Sequence, residues 1–279
     1  MEVKKIGVVG AGKMGAMITL EAAITGYQLV LQDIFPENLT KGKAFIEVQL
    51  DKRVKRGELS EQAVKDILGR IAYTMDYEGF EDIDMVMEAV VEDIKIKNAT
   101  LSKVDEICKP EAIIVTNTSS LSISVLANAV KRQGQFAGMH FFISPSKLVE
   151  VVRGYYTGDD TVKTAMEVGS KMGKVCIEVH KDTPGFLANR IYTPLFIEAF
   201  RVFEEGIASK EDIDLAMENS YLPIGPFKLA DIIGLDTLMN VLQYFTQELG
   251  PEWNPPQTVK RLVNAKRYGR KTGKGWYEY

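Results

Sequence analysis

The sequence predicts an α/β protein with two domains: a Rossmann-type, mostly parallel sheet with an inserted helical hairpin, and an all-helical C-terminal domain. Three observations predict this fold. A strand, the glycine-rich run 10–15 and a helix follow one another at the start of the chain. Short apolar runs then alternate with helical stretches as far as residue 179, which is typical of a parallel sheet. Strand signals stop after the turn cluster 181–186, so we predict domains over 1–183 and 184–279.

The composition excludes several classes of function. Lys and Arg number 34 against 38 Asp and Glu, and the formal charge of −4 gives no general attraction to nucleic acid or to an anionic membrane. No apolar run approaches the ~20 residues that span a bilayer, and the strand signal close to Glu2 leaves no room for a secretory leader. Cys108 and Cys176 lack the spacing of metal ligands. We therefore expect reduced, inert thiols, no metal site and a cytoplasmic location.

The N-terminal elements are predicted in a diagnostic order. The first strand, the first helix and the second strand fall on residues 4–9, 14–25 and 28–32. The run Gly-Ala-Gly-Lys-Met-Gly joins the first strand to the helix, and Asp33 stands at the end of the second strand. A lone GxGxxG is a weak signal, but this context makes it the fingerprint of a dinucleotide site, where helix N–H groups bind the phosphates.

Each residue of the fingerprint has a physical role. Gly10 permits the tight turn, Gly12 lets the backbone approach a pyrophosphate, and Gly15 lets helix and strand pack closely. Asp33, 18 residues after Gly15, is placed to bind a ribose 2′-hydroxyl and to repel a 2′-phosphate. We therefore predict NAD(H) as the cofactor in preference to NADP(H).

Residues 34–70 are too many for one crossover helix, and we predict a helical hairpin there. Pro36 suits a helix start, Gly57 a break, and 58–68 a second helix. Three cations of the first helix share one face at helical spacing: Lys52, Lys55 and Arg56. Such a run is usually a solvated face. The alternative is a grip for phosphate groups on a protein that is acidic overall.

The strand and helix alternation then resumes. Strands are predicted over 71–75, 85–87 and 112–115, with a helix over 94–107. The run Glu88-Ala89-Val90-Val91-Glu92 follows one of these strands, and the run Asn117-Thr118-Ser119-Ser120 follows another. Ligands of open parallel sheets lie just beyond the carboxyl ends of the strands, so both segments are candidates for binding. The serines also suit the cap of a helix that begins near Ser122, and the two roles can coexist.

His140, one of two histidines, ends the apolar run 136–139, which predicts a strand. Glu150 lies inside the next predicted strand, 148–152. Burying a carboxylate between two valines is costly unless something pairs with it, and an imidazole would serve. A His–carboxylate pair commonly holds a general base in one tautomer. Taken alone, the two residues favour an edge glutamate facing water and a core histidine bonded to a carbonyl.

A last strand is predicted over 175–179, and only helices follow it. These helices are predicted over 186–205, 210–219, 230–249 and 257–266. A small bundle with an apolar surplus often hides one face in a dimer. We therefore expect a homodimer that forms through the C-terminal helical domain.

Taken together, these motifs resemble the L-3-hydroxyacyl-CoA dehydrogenase family, most of all its bacterial 3-hydroxybutyryl-CoA branch. The resemblance covers nearly the whole chain. It includes two further runs, 182–190 (Asp-Thr-Pro-Gly-Phe-Leu-Ala-Asn-Arg) and 268–277 (Tyr-Gly-Arg-Lys-Thr-Gly-Lys-Gly-Trp-Tyr). It implies an NAD-dependent oxidoreductase that interconverts a short-chain L-3-hydroxyacyl-CoA and its 3-oxoacyl-CoA. The first domain would bind NAD, and the second would serve substrate binding and dimerisation.

The resemblance also implies roles for matching positions. The catalytic set is His140 as acid/base, Glu150 as its orienting partner, Ser119 and Asn189. The substrate would be held by Ser119 and Asn189, with the CoA phosphates on Arg56. Lys52 and Lys55, which share the basic face with Arg56, would contribute to the same phosphate contact. The cofactor residues, from the fingerprint and the resemblance together, are Gly10, Gly12, Lys13, Met14, Gly15, Asp33, Glu92, Lys97, Asn117, Ser119, Ser144 and Lys271.

One segment departs from the family pattern. The family has Asn-Pro after His-Phe-Phe, whereas this chain has Ile143 and Ser144, in a loop two residues shorter. An even shift leaves Glu150 on the face of His140, at ~2.6–3.2 Å between heavy atoms, and Ser144 would take over the asparagine contact. Two alternative functions are an NAD-binding relative with weak activity and an enzyme for a hydroxy acid that carries no CoA.

Overall fold

The computed structural model describes residues 2–143 and 146–279. By its internal contacts the chain divides into two compact units, Met1–Thr183 and Pro184–Tyr279. The first unit contains a single eight-stranded sheet with helices, and the second is built from helices. The predicted fold class is therefore confirmed.

The sheet has the spatial order β3-β2-β1-β4-β5-β6-β7-β8. Its strands are β1 Lys5–Val9, β2 Gln28–Gln32, β3 Ile71–Thr74, β4 Met85–Glu88, β5 Ile113–Thr116, β6 Phe136–Phe141, β7 Leu148–Val152 and β8 Val175–Val179. Every neighbouring pair is parallel except β6 and β7, which are antiparallel. The central strands β4, β5 and β6 are buried along their whole length, as expected of a parallel sheet covered on both faces. The carboxyl ends of β1 to β6 thus share one edge, and β7 starts there.

The helices of this unit are α1 Lys13–Thr25, α2 Pro36–Lys55, α3 Glu61–Leu68, α4 Ile94–Ile107, α5 Ile123–Leu126 and α6 Asp159–Lys171. The predicted hairpin is α2 and α3. Gly57, at φ 72°, follows the end of α2, and the Ser60 hydroxyl caps α3 by accepting from the Ala63 N–H at 3.1 Å. Helix α2 packs closely on the glycine turn, because a Cβ on Gly42 would lie 2.9 Å from the Ala11 carbonyl oxygen.

The second unit contains α7 Ala188–Glu204, α8 Lys210–Glu218, α9 Pro226–Ile233, α10 Leu235–Leu249 and α11 Gln257–Asn264. The prediction of one helix over 230–249 is wrong, because α9 ends and α10 begins at Gly234. Its φ of 99° interrupts the helix, and the N–H of Leu235 donates to the carbonyl of Tyr268 at 3.0 Å. The interruption is thus fixed by a contact with a distant part of the chain.

The run 268–277 closes the helical unit. The fully buried carboxylate of Asp231 accepts from the N–H groups of Trp276 and Tyr277, each at 2.9 Å. A Cβ on Gly275 would lie 2.0 Å from that carboxylate, so the segment needs glycine there. Trp276 stacks on Phe200 with ring centroids 5.0 Å apart. Much of this family motif is therefore explained by packing within the unit.

Among the residues described, no helix is both long and apolar enough to span a bilayer. Within the same residues, no cluster of three or more His, Cys, Asp or Glu side chains could hold a metal ion.

Candidate active site

The glycine turn after β1 is crowded on the inside and open on the outside. Gly10 has φ 101°, and a Cβ there would lie 2.6 Å from the Ala89 carbonyl oxygen. A Cβ on Gly15 would lie only 1.8 Å from the Gly10 carbonyl oxygen. At Gly12, by contrast, a Cβ would meet no atom within 4 Å. The free side at Gly12 is where the backbone leaves room for a ligand.

Helix α1 begins at that open side. Gly12 is its N-cap residue, and no side chain caps the first turn. The uncapped N–H groups and the positive end of the helix dipole suit a phosphate group. A groove lined by Lys13, Asn38, Lys41 and Phe45, together with the turn, lies in front of it. These residues fit the pyrophosphate of a dinucleotide.

The Asp33 carboxylate is fixed beside the turn, and the residue is only 8% exposed. It accepts from the N–H of Ala11 at 2.8 Å and from the N–H of Phe35 at 3.0 Å. The amide of Asn38 reaches both carboxylate oxygens at 3.2 Å. A carboxylate held in one orientation next to the phosphate cradle fits the ribose diol of NAD.

An ion cluster of two buried residues and one exposed residue lies where β4 ends. Glu88 is fully buried and Lys97 is 1% exposed, and their charged atoms are 2.8 Å apart. The other Glu88 oxygen accepts from the hydroxyl of Thr116, its neighbour on β5, at 2.6 Å. Glu92 completes the cluster, with an oxygen 3.3 Å from the Lys97 ammonium. We call Glu88, Glu92 and Lys97 the ion cluster.

Glu92 organises the loop after β5. Its second oxygen accepts from the hydroxyl of Thr118, from the N–H groups of Ser119 and Ser120 at 3.0 and 3.3 Å, and from the Ser120 hydroxyl at 3.0 Å. Burial alone would raise the pKa of Glu92, but the Lys97 ammonium and these hydrogen bonds lower it below its usual value of 4.5. Glu92 is therefore an anion that holds Ser119 in place. The Ser119 hydroxyl itself has no hydrogen-bond partner among the described residues.

Asn117 joins this loop to β6. Its side-chain oxygen accepts from the N–H of Phe141 at 2.8 Å. Backbone pairing of β5 with β6 reaches only Thr116 and Gly138, so the Asn117 amide continues the contact beyond the end of β5. The residue next to His140 is thereby tied to the loop that carries Ser119.

His140 and Glu150 face each other across the antiparallel pair β6–β7. The ring Nδ1 lies 2.8 Å from a Glu150 carboxylate oxygen, within the range predicted from the sequence. His140 is 6% exposed and Glu150 is fully buried. The His140 ring also packs against Phe142, with centroids 4.4 Å apart. A carboxylate accepts hydrogen bonds only, so Nδ1 carries the proton, and the lone pair of the neutral ring lies on Nε2.

Helix α5 follows the Ser119 loop, and Asp182, near the end of the first unit, anchors it. The Asp182 carboxylate accepts from the Ser122 hydroxyl at 2.6 Å and from the Ser124 N–H at 2.7 Å. Ser122 also caps α5 by accepting from the Val125 N–H at 3.2 Å, as predicted. Asp182 thus ties the chain that leaves this unit to the loop that carries Ser119.

The three cations of the hairpin are exposed at the end of α2. Lys52 and Lys55 form no ion pair in the described structure, and Arg56 lies 3.3 Å from Glu58. The face is open to solvent, as both interpretations of the sequence require.

Two predicted residues belong to the second unit, and one lies outside the described residues. Asn189 is in the first turn of α7, where its carbonyl accepts from the Thr193 hydroxyl at 2.7 Å. The Lys271 ammonium lies 2.6 Å from Asp236 in the first turn of α10. Ser144 is not among the described residues.

Sequence reasoning included Glu88 and Asp182 in candidate runs but assigned neither residue a role of its own. Glu88 had a signal, because it is an acid that directly follows the apolar run 85–87 at a strand end. Such a residue is buried at a cost unless a cation meets it, and Lys97 lies on the helix that follows. Asp182 opens the run 182–190, but no local pattern predicts its partners, because they lie 58 and 60 residues earlier in the chain.

Known families and solved structures resemble this chain over nearly its whole length. The family models for the NAD binding domain and the C-terminal domain of 3-hydroxyacyl-CoA dehydrogenase match residues 5–183 and 185–279. A probable 3-hydroxybutyryl-CoA dehydrogenase of Deinococcus radiodurans is 42% identical over 279 residues, covering 99% of this chain and 100% of its own. The 3-hydroxybutyryl-CoA dehydrogenase of Clostridioides difficile is 37% identical, covering 99% of each chain. The crystal structure of (S)-3-hydroxybutyryl-CoA dehydrogenase from Ralstonia eutropha superposes with a TM-score of 0.96 at 39% identity, covering 100% of this chain and 99% of the other.

Proposed function

This chain belongs to the 3-hydroxyacyl-CoA dehydrogenase family, whose cofactor is NAD, and we propose that it interconverts 3-hydroxybutyryl-CoA and acetoacetyl-CoA. The observation that carries the proposal is the buried His140–Glu150 pair at 2.8 Å. The pair lies at the carboxyl edge of the sheet. At the same edge, the glycine turn follows β1 and the Asn117 loop follows β5. The choice of a four-carbon acyl chain is supported by the names of the relatives at 37–42% identity.

His140 is the general acid and base of the proposed reaction. Its Nε2 takes the proton of the 3-hydroxyl group, while bound NAD⁺ supplies the acceptor for the hydride from C3. In the reverse direction the protonated ring returns that proton to the ketone oxygen. Glu150 fixes the tautomer and stabilises the imidazolium, because its negative charge lies 2.8 Å from Nδ1 in a buried site.

Ser119 and Asn189 position the substrate in this proposal. The hydroxyl of Ser119 is available to bond the 3-oxygen or the thioester carbonyl, and Glu92 holds its backbone in one place. On the resemblance alone we propose Asn189, at the start of α7, as a further substrate residue. A polar contact of this kind limits the orientations of the acyl group and so favours the reactive geometry.

The cofactor would be held by the residues of the first unit that the sequence singled out. Gly10, Gly12 and Gly15, with the N–H groups of Lys13 and Met14, would cradle the pyrophosphate. Asp33 would bind the adenine ribose, Glu92 the nicotinamide ribose, and the Asn117 loop the nicotinamide side. We propose Ser144 and Lys271 as further contacts on the resemblance alone.

Acetoacetyl-CoA and free acetoacetate, each with NADH, provide the test of the proposed function. We expect oxidation of NADH with the CoA ester at a kcat/KM at least a hundredfold, on the order of 10²–10³, above that with the free acid, since binding energy from the CoA portion lowers the barrier. A preference for the free acid would favour an enzyme for simple hydroxy acids. Tight NADH binding without turnover of either compound would favour an inactive relative.

Removing the three cations of the hairpin should weaken CoA binding. If Lys52, Lys55 and Arg56 contact the phosphates, their change to alanine should raise the KM for acetoacetyl-CoA by about tenfold, at about 0.5 kcal/mol for each exposed contact. It should also flatten the salt dependence of that KM, because salt screens exposed charges. The KM for NADH should not change. Steady-state kinetics at two ionic strengths measure all three effects.

A matched control removes three exposed lysines from α4 and α6: Lys103, Lys163 and Lys171. It changes the net charge by the same amount at a different place. An equal rise in the KM for acetoacetyl-CoA in both triple variants would contradict a local grip and indicate a general effect of net charge.

We also propose that the protein is a cytoplasmic homodimer that pairs through the helical unit. Three large apolar side chains of that unit are well exposed, Ile191 on α7, Ile207 in the turn after it, and Leu215 on α8. Exposed apolar side chains of this size commonly become buried in a subunit interface.

A further inference from the structure

The imidazole of His140 is restrained at one edge and by a neighbouring ring. At the edge, Nδ1 lies 2.8 Å from the Glu150 carboxylate. The Phe142 ring packs against the imidazole, with the two centroids 4.4 Å apart and the two planes inclined by 51°. The hydrogen bond sets the tautomer of His140, and the ring contact has no part in that role.

The bond to Glu150 alone does not set the plane of the imidazole. The torsion that turns a histidine ring about its Cβ–Cγ bond is broad. A hydrogen bond also keeps most of its strength within about 30° of linearity. The ring could therefore tilt while Nδ1 kept its partner, and Nε2 would then point in several directions. Proton transfer at Nε2 needs one direction, so a second restraint on the ring has a chemical purpose.

The backbone places Phe142 on the side of the strand that His140 occupies. Side chains alternate along a strand, so residues 140 and 142 point to the same side of the sheet. Phe142 directly follows β6, and the N–H of Phe141, between the two rings, donates to the Asn117 side chain at 2.8 Å. The half-buried Phe142 ring therefore meets the imidazole from a backbone that is itself fixed.

We propose that Phe142 is a positioning residue, which fixes the plane of the His140 ring and attracts that ring when it carries a positive charge. An aromatic ring attracts a cation that lies within about 6 Å of its centroid, and the distance of 4.4 Å meets this condition. Glu150 then stabilises the imidazolium at Nδ1, and Phe142 stabilises it through the ring. The effect on the reaction rests on the proposed function, but the mobility of the imidazole can be measured without any substrate.

Nuclear magnetic resonance can observe His140 directly. The chain contains two histidines, so a His180→Gln background leaves a single imidazole to label with ¹³C. Relaxation of its ring carbons gives an order parameter, about 0.85 for a rigid group and below about 0.6 for a flexible one. We expect a rigid ring in this background and a fall toward about 0.6 when Phe142→Leu is added, since leucine keeps apolar bulk but has no ring. An unchanged order parameter would overturn the proposal, whatever the substrate.

Oxidation of L-3-hydroxybutyryl-CoA by NAD⁺ tests the effect on the reaction, because in this direction the imidazole gains its charge as the proton moves. Phe142→Leu should lower kcat by about threefold to thirtyfold, the effect of one lost cation–π contact. The KM values for both substrates should stay within about twofold, because the lost attraction acts in the transition state. Phe142→Tyr keeps the aromatic ring and should restore kcat. A loss that tyrosine fails to restore would contradict the proposal.

A double variant shows whether Phe142 acts through His140. His140→Gln removes the ring that Phe142 contacts, so adding Phe142→Leu should lower the residual kcat no further. Additive losses would mean that Phe142 serves the reaction by another route, and the proposal would fail. If the wild type did not oxidise L-3-hydroxybutyryl-CoA at all, the proposed function would fail, while the order parameter of the imidazole would still decide the role of Phe142.

Another aromatic pair of the first unit provides the matched control. Tyr77 and Phe80, in the segment between β3 and β4, pack edge to face with ring centroids 5.3 Å apart. Tyr77→Leu removes one ring of this pair and should lower the thermal unfolding midpoint in the same way as Phe142→Leu. It should leave both the order parameter of His140 and kcat unchanged. Equal losses of kcat in the two variants would indicate a general effect of repacking, and the proposal would fail.

Discussion

Replacing His140 with glutamine should lower kcat by a factor on the order of 10²–10⁴, the usual contribution of general acid–base catalysis. Glutamine keeps a polar side chain of similar reach but cannot carry the proton between substrate and solvent. Glu150 is fully buried, 2.8 Å from the His140 ring. The variant therefore also leaves this carboxylate beside a side chain that cannot take up a proton and become positively charged. Single-turnover oxidation of NADH by acetoacetyl-CoA measures this step directly.

The dissociation constant for NADH should stay close to that of the wild type, because the glycine turn, Asp33 and Asn117 follow other strands. The second histidine offers a matched control. His180 is 82% exposed in its side chain, and His180→Gln should leave kcat unchanged. A His140→Gln enzyme within threefold of wild-type kcat would remove His140 from the mechanism.

Changing Gly15 to alanine should destabilise the first unit by about 3 kcal/mol, the upper part of the usual range for overpacking. The added Cβ would lie 1.8 Å from the Gly10 carbonyl oxygen, which is backbone and cannot rotate away. The turn and α1 would have to separate, so NADH binding should be lost as well. Thermal unfolding and fluorescence titration of NADH report the two effects.

Gly12→Ala is the matched comparison, because the same methyl group there meets no protein atom within 4 Å. Its unfolding midpoint should equal that of the wild type, while NADH affinity should fall at least tenfold, or about 1.4 kcal/mol, since the methyl group occupies the approach of the pyrophosphate. If Gly12→Ala bound NADH as tightly as the wild type, the pyrophosphate would have to lie elsewhere.

The order of the elements was accessible from the sequence because local patterns determine it. The runs 28–32, 148–152 and 175–179 are strands with the predicted bounds, since each is a short apolar segment between turn signals. The helix Asp159–Lys171 was not among the predicted elements, although Val162, Ala165 and Val168 repeat at helical spacing.

The features that sequence reasoning missed depend on contacts between distant residues. The break at Gly234 is stabilised by Tyr268, more than 30 residues away along the chain, while the local pattern continues as one helix. In the candidate site, the facing of His140 and Glu150 followed from strand parity, which is a local rule. The contacts of the Lys97 ammonium with Glu88, Val90 and Glu92 did not, because they are set by how β4, α4 and the Glu92 segment pack.

The antiparallel pairing of β6 with β7 affects how the sequence of the enzyme can vary near its acid–base centre. Parallel neighbours need a crossover of a dozen or more residues, so side chains facing each other across them are separated by a whole helix. His140 and Glu150 instead lie on strands joined by the short segment 142–147. Because the ladder sets their facing, the chain between the two strands can gain or lose an even number of residues by mutation while the pair stays opposed. The acid–base centre can thus be kept, in evolution or in the laboratory, while the connection between its two strands changes in length.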